Sequence, residues 1–128
     1  MRGRRGSQAV EFALALPLLM LILTGSLDAG EYLFRTEALV QSAADGARAG
    51  AKAESDAASV AQAAAEAAWE ATGQGGEPEF TATLVGEAPD QRVTIAAELE
   101  FTPWVGLVPL PGAIGYSCTF RLDHQPEE

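Results

Sequence analysis

Residues 4–19, RRGSQAVEFALALPLL, decide how this chain is read. Arg4 and Arg5 stand before Gly6 and Ser7, and Glu11 with Phe12 opens an apolar run. Phe12–Leu27, FALALPLLMLILTGSL, is 16 residues without a charge, and Ala9, Val10 and Glu11 extend it to 19 with one carboxylate. As a helix that stretch is roughly 28 Å long, close to the roughly 30 Å hydrocarbon core of a bilayer. Pro17 lies within it. In a soluble helix that proline costs about 3 kcal/mol, whereas a membrane helix tolerates it.

Charge divides at the same place. Arg2, Arg4 and Arg5 precede the run with no acid before Glu11, while 17 acidic and 5 basic residues follow Leu27. Basic residues on one flank orient a span with that flank inside. The reading is therefore a basic leader over 1–6, a transmembrane helix over 7–27 with its N-terminus cytoplasmic, and an extracytoplasmic domain over 28–128. An acidic exported face offers nothing to nucleic acid, which calls for clustered Lys and Arg.

Beyond Leu27 two periods are written in one chain. From Asp28 to about Lys52 the pattern remains helical, with Leu33, Ala38, Val40 and Ala44 near helical spacing. A second helix is predicted over Glu54–Thr72, capped by Ser55 or Asp56, with Val60, Ala64, Ala67 and Ala68 as a shallow apolar face and Trp69 as its large member. Gly73–Gly76 stops it. Alternation then predicts strands at Phe80–Val85, Arg92–Phe101 and Ile114–Leu122, with a hairpin connection at 86–91 and a proline-rich loop over Pro103–Gly112. The expected fold class is α+β: a transmembrane helix continuing into a periplasmic helix, a second helix, and a small three-stranded antiparallel sheet packed on one face by helix.

Residues suited to catalysis are nearly missing. His124 is the only histidine and lies in the polar tail DHQPEE. No serine or acid stands in a nucleophile-elbow or metal-ligand pattern, and GQGG at 73–76 precedes no helix. No metal, cofactor or enzymatic activity is expected. Cys118 is the single cysteine, so no intramolecular disulfide can form, and a small buried strand residue is the expected role. Trp69 and Trp104 read as core or interface anchors, Trp104 as a partner contact if its loop leaves it exposed.

The N-terminal stretch resembles the prepilin cleavage signal. The run GSQAVEFALALPLLMLILTGSLDAGEYLF, followed by QSAADGARAGA, is similar to the TadE-like pseudopilin family of the tight-adherence (Flp-type) pilus. Val10, Glu11, Phe12, Ala13, Leu14 and Pro17 match the family's core, and Ala43, Ala44, Gly46, Ala47 and Arg48 its alanine-rich stretch. The resemblance implies a pilin-like fold and cutting between Gly6 and Ser7 by a prepilin peptidase. It implies that Glu11, beside Phe12, pairs with the new amine of Ser7 on a neighbouring subunit and so sets their register. Other pilins or pseudopilins and inner-membrane platform proteins are the implied partners, besides the bilayer itself. Pilus assembly, adhesion and a related type II/IV secretion apparatus are the implied setting. Pro17, Gly25, Gly46 and Gly50 are the helix-packing positions. The Gly46–Gly50 spacing lets two helix backbones approach, between subunits, against the sheet or within the chain's own domain; the alternative is simply an alanine-rich exposed helix. Two other readings stay open: an uncleaved membrane-anchored binding module, and a secretory signal cut near Ser26 or Ala29.

Overall fold

Gly73 to Gly76 is where helix gives way to strand. The computed structural model describes residues 3–124, with 3–5 described as backbone only; the ends of the expected leader and of the polar tail, residues 1–2 and 125–128, lie outside the described residues. Helix α1 runs Gly3–Lys52 and α2 runs Ala57–Thr72. Strands β1 (Glu79–Val85), β2 (Arg92–Glu100) and β3 (Ala113–Arg121) follow. The sheet is an antiparallel meander in the order β1-β2-β3. The α+β architecture read from the sequence is the one observed, with strand ends shifted by a residue.

The chain forms two compact units. One comprises α1 as far as Leu33 together with Thr102–Leu110, the loop that joins β2 to β3. The other comprises Phe34–Phe101 and the chain from Pro111 onward.

In the second unit, the seam between α1 and α2 is built from the smallest side chains. Ala43, Ala47 and Ala51 on α1 and Ala57, Ala61 and Ala65 on α2 are buried. A Cβ at Gly46 would stand 2.6 Å from the Ala61 carbonyl oxygen, and one at Gly50 2.6 Å from the Ala61 Cβ. The two helices can approach this closely only because those positions are glycine. Larger side chains fill the space towards the sheet: Leu39, Trp69, Val93, Ile95, Leu99 and Phe101, all buried. Burial on β2 alternates strictly from Val93 to Leu99, as one packed face requires.

Three details differ from expectation. The α2 face turned inward is Ala57, Ala61, Ala65 and Trp69, not Val60, Ala64, Ala67 and Ala68. On α1 the buried stripe is Leu39, Ala43 and Ala47, displaced from Val40 and Ala44. With alanine on every side of a helix, periodicity carries little directional information, and the two glycines choose the stripe. Finally, α2 begins three residues after Glu54, because Asp56 is left-handed (φ 48°, ψ 49°) and makes no side-chain cap. It turns the chain between the helices instead of capping the second. At the far end Gly73 (φ 68°) closes α2 through its N–H to the Glu70 carbonyl.

Opposed pairs fix the sheet register: Phe80 with Ala97, Ile95 with Cys118, and Leu99 with Ile114. On the outer face the Thr94 and Thr119 hydroxyls share a hydrogen bond of 2.8 Å. The Trp69 indole donates to the Gly76 carbonyl at 3.3 Å, tying the end of α2 to the start of the strands.

Cys118 lies in β3, half-buried, and donates its thiol to the Ala43 carbonyl at 3.4 Å. Burial pushes the thiol pKa up, and the nearby positive charge of Arg48 offsets this only in part. A raised thiol pKa stabilises the fold below the thiol's ordinary range and loses that contribution as pH rises through it. Cys118 is therefore expected to alkylate more slowly with iodoacetamide at mildly alkaline pH in the folded chain than in denaturant. Equal rates would mean that the strand does not shield it.

Candidate functional site

The apolar part of α1 is a helix that presents its side chains outward. Val10, Phe12, Leu14, Leu18, Leu19, Met20, Leu21, Ile22 and Leu23 are each at least half exposed. Among the described residues α1 is the one helix long and apolar enough to cross a membrane. Such a surface matches lipid better than water, as a candidate membrane span should. Pro17 stands inside the helix without ending it, a feature that membrane-spanning helices tolerate.

At the head of this surface Ser7 donates its hydroxyl to Glu11 Oε1 at 3.0 Å, one helical turn away. Gly6, Ser7, Glu11 and Phe12 are all exposed, and no atom would meet a Cβ at Gly6 within 4 Å. The candidate cleavage and register residues thus follow one another along one accessible stretch of helix. Of the packing positions, Gly25 faces the Val108 side chain, which a Cβ there would approach to 2.8 Å. Gly46 and Gly50 both face α2 of the same chain, and Gly46 also faces the Ile95 side chain of β2.

The polar groups at the other end of the apolar run are all satisfied internally. Thr24 donates to the Met20 carbonyl at 2.8 Å and Ser26 to the Ile22 carbonyl at 2.7 Å, each one turn back. Asp28 is 1% exposed. Its carboxylate accepts from three consecutive backbone N–H groups of the loop: Trp104 at 3.0 Å, Val105 at 3.2 Å and Gly106 at 3.0 Å. Gly106 has φ 69°, the left-handed turn that aims successive N–H groups at one anion. Sequence reasoning missed Asp28, which reads as the ordinary first acid after an apolar run. The signal that could have raised it is the uncharged loop TPWVGLVPLPG, too apolar to be left unattached.

Among the described residues no three His, Cys, Asp or Glu side chains are grouped to hold a metal ion. His124 lines a surface hollow with Glu54, Ser55 and Asp56.

No curated protein and no solved structure matches the chain. Residues 6–48 match the family described as TadE-like protein, a stretch that takes in Gly6, Ser7, Glu11, Phe12, Pro17, Gly25 and Gly46 and leaves out α2 and the sheet. The likeness to the TadE-like family thus covers about a third of the chain, residues 6–48.

Proposed function

We propose that the protein is a membrane-anchored pseudopilin or minor pilin, not an enzyme, that takes part in assembling a tight-adherence (Flp-type) pilus or a related type II/IV secretion apparatus. One observation carries this reading: Gly6-Ser7 and Glu11 stand at the head of an apolar helix whose side chains are free to meet lipid or a neighbouring helix. The helix inserts into the inner membrane with its basic end in the cytoplasm. A prepilin peptidase cuts between Gly6 and Ser7, and the apolar helix is kept. Glu11 then pairs with the α-amine of Ser7 on the next subunit. A lone carboxylate and a lone ammonium among apolar helices are each unfavourable, so their pairing fixes the axial offset. Head-to-tail contacts of this kind do not close, and they grow into a filament or its base. Other pilins, platform proteins and the peptidase are the partners this requires.

The test is the mass of the membrane-bound protein together with two variants. The mature chain is expected to begin at Ser7. Gly6→Ala should leave the leader attached, and Glu11→Ala should be cut normally but fail to enter pili. A working protein that retains Met1 or Arg2 would overturn the reading and favour an uncleaved anchored binding module.

A further inference from the structure

We infer that the loop Thr102–Leu110 is a second membrane contact, lying in the interfacial layer where α1 leaves the bilayer and presenting Trp104 to lipid. The inference rests on the spanning role of α1 but not on cleavage at Gly6.

Three observations carry it. The first is composition: Thr102–Leu110, TPWVGLVPL, has no charge, and it exposes Trp104 by 80%, Val105 by 47% and Leu107 by 55%. Exposed apolar groups clustered on one short loop mark a surface that meets something other than water. The second is depth. Val108 packs on Gly25, and the N–H groups of residues 104–106 on Asp28, so the loop is moored at the last turn of the apolar run. Residues 9–28 as a helix rise about 30 Å, the thickness of the hydrocarbon core, which sets Asp28 at its edge. Tryptophan is enriched at that level because its ring is apolar and its N–H polar. The third is polarity. Backbone N–H groups without partners are what usually keeps a loop out of lipid. Here three successive ones are held by Asp28, and the neighbouring Thr24 and Ser26 hydroxyls are held by their own helix. The apolar helix surface beside the loop, Leu27 included at 58% exposure, continues into it. A single lipid phase covers both surfaces.

The experiment uses the full chain in phosphatidylethanolamine–phosphatidylglycerol vesicles containing phosphatidylcholine brominated either near the headgroup end of the acyl chain or near its terminus. Tryptophan emission of the native chain is compared with that of Trp104→Phe, an exposed substitution that leaves the buried Trp69 as background. At high dilution in lipid, the Trp104 component is expected to be blue-shifted and to lose most of its intensity to the headgroup-proximal bromines, and less to the terminal ones. If the chain floats with the vesicles but Trp104 emits as in water and escapes both quenchers, the loop inference fails while the span stands. A blue shift seen only at high protein density would overturn it in favour of contact with a second copy. A chain that does not float with vesicles overturns the span and the loop together.

Discussion

Asp28→Ala is expected to free the loop that joins β2 to β3. The carboxylate is buried and takes the N–H groups of Trp104, Val105 and Gly106 within 3.0–3.2 Å. Removing it leaves three donors turned towards a space without an acceptor. Hydrogen bonds to a charged group contribute about 1.5–3 kcal/mol each, and they are not additive when they share one acceptor, so a local loss of about 3 kcal/mol is the expected size. In micelles or nanodiscs, amide exchange at Trp104, Val105 and Gly106 should then speed up by roughly two orders of magnitude. Asp28→Asn should fall between, since its one carbonyl oxygen can hold part of the set but its amide nitrogen opposes another N–H. Unchanged exchange in the alanine variant would mean that the loop is held by Val108 against Gly25 and not by the carboxylate.

Gly46→Val is expected to disrupt the domain built on α2 and the sheet. A Cβ at this position already stands 2.6 Å from the Ala61 carbonyl oxygen, 2.6 Å from the Ala65 Cβ and 2.9 Å from the Ile95 Cδ1. A backbone oxygen cannot swing aside, so α2 must move as a whole. Overpacking a tight site typically costs about 1–3 kcal/mol, and the two added methyls put this case at the upper end or beyond. Gly46→Ala sharpens the test. Alanine is favoured over glycine by about 1 kcal/mol in a helix interior, so a loss of thermal stability on Gly46→Ala can come only from the contact. Gly30→Ala, where a Cβ meets nothing within 4 Å, is the matched control and should be neutral or stabilising. If both alanine variants behave alike in thermal unfolding followed by circular dichroism, the seam is looser than drawn.

The elements were legible because each has a strong local cause. Alternation from Val93 to Leu99 marks a strand packed on one face, and Gly73–Gly76 mark the end of a helix; both appear where expected. The facing of α2 was not legible. Ala57, Ala61 and Ala65 are inside while Ala63 and Ala67 are outside, and the sequence gives all five the same side chain. The direction is set from another element, by Gly46 and Gly50. The same holds for the Gly46–Gly50 pair itself, whose spacing speaks for a close helix contact without saying with which helix. At the candidate site, Gly6, Ser7, Glu11 and Phe12 are adjacent along one helix, so the sequence alone brings them together. Asp28 is the opposite case. Its partners lie 76 to 78 residues away and supply backbone, not side chains, so no residue type records the match.

The hydroxyl of Ser7 already holds Glu11 at 3.0 Å within a single chain. One oxygen of the acid is therefore already occupied by a neutral donor one turn away, while the charge itself has no counterpart in that bond. Whatever captures Glu11 must outbid a neutral donor, and a group bearing a full positive charge does so. In the assembly role proposed above, the α-amine of a neighbouring chain is such a group, whereas a second hydroxyl would offer Glu11 no more than Ser7 already does.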